Sequence, residues 1–420
     1  MPADQSDTTR HRLHLFEAFG VELEYMLVDR ESAAVAPVAD RVIAAAAEEF
    51  ADGGRNGDGD QAGSSPGDVE LGTICWSNEL CLHVLEIKGG APLPSLETCG
   101  DDFAESVRTA NRIAASAAAR LMPGAMHPTM DPATEAKLWP HECNDVYRLF
   151  DRIFDCRGHG WSNLQSTHIN LPFADSDRAD SEFGRLHAAI RLLLPILPGL
   201  AASSPFVDGR VGTALDERLA AYRLNARRLP IVTGDVIPEP VFTREQYERT
   251  IYAPIADALA PFDPERTLNP VWVNARGCIA RFDRGAIEIR LLDIQESPAA
   301  DLAVLAAIVA VLRELVGERW TSLADQQAWA VAPLADLLRR TIVGGETTVI
   351  DDPAYLDIFG MAGPGEAARP RTVGDLWRRL IDRVPPPAVH AGPIDVILDE
   401  GTLATRMRRA VGADPSRAAL

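Results

Sequence analysis

Residues 20–29 read Gly-Val-Glu-Leu-Glu-Tyr-Met-Leu-Val-Asp, and their alternation is that of a β-strand. With a side-chain period of two, Glu22 and Glu24 share one face, while Val21, Leu23 and Tyr25 share the other. Two carboxylates roughly 6–7 Å apart on one strand repel unless a cation sits between them. The strand, taken as Phe19 to Val28, thus offers an apolar face to a core and an acidic face that needs a partner. One such strand proves little, because half-buried antiparallel strands normally pair an apolar face with a solvated one.

The pattern recurs along the chain. In Ser166–Phe173 (STHINLPF), His168 and Asn170 share a face opposite Thr167, Ile169 and Leu171. In residues 286–291 (AIEIRL), Glu288 and Arg290 oppose Ile287, Ile289 and Leu291. A further strand region, Trp76–Lys88, contains NELCLHVLEIK and adds Glu79 and Glu86. Seven positions separate these two, an odd number that puts them on opposite faces of a regular strand. They share a face only across a bulge, or if Glu79 precedes the strand proper. Ordinary solvent faces mix Lys, Thr, Ser and Gln, whereas these are dominated by glutamate. In one sheet they would make a carboxylate-rich cleft suited to Mg²⁺ or Mn²⁺, with His168 as a nitrogen ligand or phosphate contact. No Cys/His cluster at zinc spacing competes.

Around these strands, helices are expected at Ala39–Phe50, Asp101–Leu121, Ser181–Leu194 and Asp301–Trp320. Residues 269–274 and 280–294 read as a pair of strands joined through Arg276-Gly277. Residues 52–68 (DGGRNGDGDQAGSSPGD) read as a mobile surface loop. Strands and helices interleave without the regular period of a doubly wound sheet. No GxGxxG follows a strand and no GxxxxGK[ST] is present, so a Rossmann or P-loop nucleotide site is not supported. The fold class expected is α+β: one domain over 1–420, with 345–420 a helical C-terminal part.

Composition narrows the partners. The 420 residues carry 41 Lys+Arg against 61 Asp+Glu, a formal net charge of -20. Nucleic acid or an anionic membrane would meet a repulsive field. The start shows no secretory signal, and the longest apolar stretch, Leu302–Val316, is interrupted by Arg313 and Glu314. Six cysteines without a CxxC pair suit reduced thiols and a cytoplasmic location.

The segments GVELEYMLVD, NELCLHVLEIK, QSTHINLPF and above all AIEIRLLDIQES resemble the glutamate–cysteine ligase superfamily, most of all its bacterial carboxylate–amine ligase type. ASSPF at 202–206, the trailing GR…DERLAAYR and GTLATRMRRAVG at 401–412 belong to the same resemblance, which runs from Phe16 to Gly412. It implies a glutamine-synthetase-like fold, a curved antiparallel sheet forming a funnel flanked by helices. It also implies ATP and Mg²⁺ (or Mn²⁺) as cofactors, with small-molecule substrates: a glutamate-like acid and an amine such as cysteine. Glu22, Glu24, Glu79, Glu86, His168 and Glu288 would then hold or flank the metals. Glu288 and Arg290 would be the catalytic pair, Arg290 gripping phosphate or the reacting carboxylate.

That chemistry is physically coherent, because a carboxylate attacking ATP brings two anions together and divalent ions offset the charge. Arg210, Arg218 and Arg223 could contact phosphate or a substrate carboxylate, although DERLAAYRLNARR reads equally as a charged surface helix. Arg276 and Arg281, just before the EIR strand, are similar candidates. His127 suits a structural role, and Trp76 and Trp161 suit packing. Three other functions compete on the same residues: transfer of phosphate to a guanidino acceptor, metal-dependent hydrolysis, and a non-catalytic binding role.

Overall fold

The structure is a computed structural model that describes residues 12–50, 67–361 and 371–412. The loop expected at 52–68 falls almost wholly outside the described residues; Asp68 opens a strand.

Eight strands form one sheet in the order β2-β3-β4-β1-β6-β10-β9, with β5 also paired to β1. Their ranges are β1 Gly20–Asp29, β2 Asp68–Leu71, β3 Ile74–Asn78, β4 Val84–Gly89, β5 Ala119–Met122, β6 Ser166–Pro172, β9 Cys278–Arg281 and β10 Ala286–Asp293. Two short strands, β7 (Phe206–Val207) and β8 (Arg210–Val211), form a separate hairpin. Every pairing in the large sheet is antiparallel. The α+β expectation holds.

One face of the sheet is the core. Val21, Leu23, Tyr25, Leu27, Leu85, Ile87, Ile169, Leu171, Ile287 and Ile289 join one continuous apolar cluster. Each fully buried large side chain there contributes about 1.5–3 kcal/mol. Helices Gly100–Ala114, Glu182–Leu193 and Pro298–Val316 pack over this face. Pro298–Val316 is buried nearly all round; Ser297 caps it by accepting from Ala300 N, and Pro298 sits in its first turn.

Several boundaries differ from the sequence reading. The helix expected to reach Leu121 ends at Ala114, because Ala118 turns left-handed (φ 55°) and the chain enters the sheet as β5. Residues 269–274 form no strand: Asn269 caps Val271 N and Pro270 starts the one-turn helix Pro270–Val273. The hairpin partner of β10 is β9, reached through Phe282–Gly285 and not through Arg276-Gly277. The region 76–88 is two strands, β3 and β4, with Glu79 in the connection. No helix among the described residues is long and apolar enough to cross a membrane. All six cysteines are unpaired.

Candidate active site

Register places the polar residues on one face. Glu22 stands opposite Lys88 on β4 and His168 on β6; Glu24 stands opposite Glu86. Glu288 stands opposite Asn170, and Ser77 opposite Glu86. Gly20 also faces Asn170, and a side chain there would meet the Asn170 Cβ at 2.9 Å. Glycine is required by that close approach. Farther along β1 the same face is closed by Met26 and Val28 packing on Met130, so the acidic patch has one apolar end.

His168 is the hub. Its Nδ1 lies 3.0 Å from Glu22 Oε2 and 4.0 Å from Glu288 Oε1, and its Nε2 lies 2.9 Å from Ser166 Oγ and 3.8 Å from Glu24 Oε1. Burial opposes its charge, but Glu24 and the bond to Glu22 outweigh it and push its pKa up to about 9. The ring is therefore an imidazolium at neutral pH, tying three carboxylates together. Its bond likewise outweighs burial at Glu22, whose pKa is lowered. Glu24 accepts from Ser166 N (2.7 Å) and Ser166 Oγ (2.8 Å), and Asn170 Nδ2 donates to Glu22 (3.1 Å).

At one side of the hub, Glu288 receives Arg290 Nη2 (2.6 Å) and Arg281 Nη1 (3.1 Å). Against the cost of burial, Arg290, His168 and Arg281 hold its pKa at about 2. The Tyr222 hydroxyl lies against Arg290. At the other side, Lys88 Nζ binds Glu86 Oε2 (2.5 Å) and Ser77 Oγ (2.7 Å), and Ser77 Oγ donates to Glu86. Glu79, in the β3–β4 connection, has its pKa raised well above the carboxylate range by desolvation and by repulsion from Glu86 and Glu24. The odd spacing of Glu79 and Glu86 is thus resolved by a strand break.

The remaining arginines divide. Arg281 reaches Glu288. Arg276 is fully buried, with Nε and Nη2 each 2.6 Å from Glu239 and Nη1 on Asn274 Oδ1 (3.0 Å) and Ile231 O (3.2 Å). Arg210 is exposed beside Asp208 at 3.5 Å, and Arg223 caps the helix Glu217–Tyr222. Among the described residues, none of these three bonds to the acidic cluster. Arg218 is buried in an ion pair with Asp293. His127 binds Ala33 O, and Trp76 and Trp161 pack with their indole N–H groups on Ser106 and Asn225.

Lys88, Ser77, Ser166, Asp293 and Tyr222 were not singled out from sequence. Asp293 was hidden by parity. Five residues from Glu288, it belongs on the opposite face of a regular strand, but a register shift between Ile289 and Leu292 sets it opposite Ser166. Lys88 was legible, since it shares the period-two face of Glu86.

The glutamate oxygens suit a hard divalent cation; His168 can donate a nitrogen only after it gives up its proton, and in Glu79 burial, Glu86 and Glu24 disfavour the ionised form. Among the described residues no three His, Cys, Asp or Glu side chains form a ready metal cage. Instead His168, Lys88, Arg281 and Arg290 stand between the acids.

Comparison with known proteins places the chain among the carboxylate–amine ligases. It belongs to glutamate–cysteine ligase family 2 (GCS2), whose profile matches residues 18–340. An uncharacterized protein of Archaeoglobus fulgidus is 34% identical over 251 residues, covering 60% of this chain and 66% of that one. A protein of Rubrobacter xylanophilus, provisionally named glutamate–cysteine ligase 2-3, is 26% identical over 96% of this chain and 92% of its own. Among solved structures, a glutamate–cysteine ligase of Francisella tularensis in complex with AMP superposes with a TM-score of 0.52 at 12% identity. That likeness covers 96% of this chain and 86% of the other, and it concerns the fold.

Proposed function

We propose that the chain is an ATP- and Mg²⁺- or Mn²⁺-dependent ligase joining a glutamate-like carboxylate to an amine such as cysteine, through an acyl phosphate. The observation that carries this reading is the acidic sheet face bounded by Arg281 and Arg290, in a chain of the GCS2 family. The sheet would floor a funnel into which both substrates descend.

Glu22, Glu24, Glu79, Glu86 and Glu288 would hold the metal, with His168 at their centre. The divalent ion, when bound, offsets phosphate charge during transfer. Arg290 offers a planar fork for a phosphoryl or carboxylate oxygen, and Tyr222 and Glu288 keep that fork in place. Arg281 would share that anion. Attack by the amine then needs positioning, loss of a proton and a partner for the tetrahedral oxyanion. Arg276 supports the loop before β9, and Arg210 and Arg223 lie outside the acid-binding group.

The test incubates purified protein with Mg²⁺, ATP and panels of acids and amines, following ADP and product mass. ADP should form only when acid and amine are both present. ATP-independent cleavage, or ADP release without an amine product, would refute the ligase reading.

A further inference from the structure

We propose that Lys88 is a resident counter-cation of the acidic face, and that a divalent ion binds there by exchange, displacing the Lys88 ammonium from Glu86. The inference rests on the reading of Glu22, Glu24 and Glu86 as metal ligands. It explains why those acids are not already gathered into a cage.

The sheet register creates the arrangement. Lys88 follows Glu86 by two residues on β4, so both side chains rise on the same face. Lys88 stands opposite Glu22, Glu86 stands opposite Glu24, and Ser77 flanks Glu86 on the other neighbour strand. Nζ, Glu86 Oε2 and Ser77 Oγ close a triangle: the ammonium donates to both oxygens, and the Ser77 hydroxyl donates to Glu86. Glu86 Oε2 therefore has its acceptor capacity directed at protein donors.

A Mg²⁺ ion sits about 2.0–2.1 Å from its ligands. On Glu86 Oε2 it would stand within a few ångströms of the ammonium, a doubly charged ion against a singly charged one. Both cannot hold that oxygen. Lys88 is able to leave: its side chain is 32% exposed, whereas Glu86 is 6% exposed and fixed. A four-carbon stem swings without moving the strand, unlike the imidazolium of His168, which is buried at the hub.

Two consequences follow from one residue. Without metal, Lys88 relieves the repulsion among Glu22, Glu24 and Glu86, so the face folds stably when empty. With metal, the released ammonium stays tethered at the rim, beside the place where a phosphate would meet the ion.

The test reads Mn²⁺ binding without nucleotide, by the electron paramagnetic resonance signal of free Mn²⁺, on the full chain. Lys88→Met and Lys88→Gln should each bind Mn²⁺ at least about tenfold more tightly than wild type, equivalent to about 1.4 kcal/mol. The glutamine keeps a hydrogen bond to Glu86 without the charge, so it tests the idea even where methionine unfolds the chain. Both should melt lower than wild type in EDTA and recover with Mn²⁺. Lys88→Arg should bind no more tightly than wild type. Unchanged or weaker Mn²⁺ binding in the neutral variants, with wild-type binding abolished by Glu22→Gln, would overturn the exchange and leave the metal reading standing. Absence of any Glu22-dependent Mn²⁺ binding would remove the metal reading itself.

Discussion

Glu288 is a buried carboxylate held ionised by three cations, which makes its removal costly in two ways. Replacing it by glutamine takes away the anion that Arg281 and Arg290 share and deprives the site of a proposed ligand. Breaking one partner of a buried ion pair costs about 3–5 kcal/mol. Glu288→Gln should therefore abolish ligase turnover and also lower the urea midpoint clearly. Glu22 is less buried and loses one bond to His168, so Glu22→Gln should abolish turnover at smaller cost in stability. The pH dependence has a definite sign. With a folded pKa of about 2, below the ordinary 4.5, the Glu288 contribution is complete above pH 4.5 and is lost as pH falls towards 2. The stability gap between wild type and Glu288→Gln should thus narrow below pH 4; a constant gap from pH 7 to 3 would contradict the assignment.

At the scale of elements, two contacts tie the sheet to its surroundings. On the core face, the first turn of helix Pro298–Val316 carries Asp301, fully buried, accepting from Thr167 Oγ1 and Gln295 N. Burial pushes its pKa up to about 8. A carboxyl raised in the folded state favours the protonated form, so its contribution is complete below pH 3.8 and is lost as pH rises through 8. Between those limits wild type should lose up to about 1.4 kcal/mol of stability per pH unit relative to Asp301→Asn. Chemical denaturation at pH 5, 7 and 9 measures this, and parallel curves would refute it. On the polar face, helix Glu217–Tyr222 puts Arg218 and Tyr222 one turn apart, Tyr222 against Arg290 within the β10 bulge and Arg218 against Asp293 beyond it. Arg218→Met should destabilise by about 3–5 kcal/mol, and adding Asp293→Asn should restore part of it, because the uncompensated charge is then gone.

These same elements mark what sequence could and could not tell. Regular antiparallel pairing has a period of two, so alternation paired Glu22 with Glu24, His168 with Asn170 and Glu288 with Arg290 on their own strands, and the register of the sheet set those faces side by side. A bulge and a strand break obey no period, and for that reason Asp293 was passed over and Glu79 left ambiguous. Arg276 and Arg218 looked like free cations because their acids, Glu239 and Asp293, lie 37 and 75 positions away. Such pairs are set by tertiary packing and leave no local trace.

For the whole molecule, the net charge of -20 has two components that salt and metal separate. Surface acids repel one another in water and are screened over about 8 Å at 0.15 M salt, by any electrolyte. The acids of the sheet face are largely buried and poorly screened, and under the proposed reading they take a small divalent ion. A ligand that binds only the folded state stabilises it by about 2.7 kcal/mol at a hundredfold excess over its dissociation constant. Millimolar Mn²⁺ or Mg²⁺ should therefore raise the melting temperature by several degrees beyond what NaCl of equal ionic strength achieves. The double variant Glu22→Gln/Glu24→Gln should respond to divalent ions and NaCl alike. If it keeps the extra rise, the stabilising ion sits elsewhere on the acidic surface. If wild type shows no extra rise, the glutamates of β1 are neutralised by His168 and Lys88 alone, and the cluster is a structural ion network.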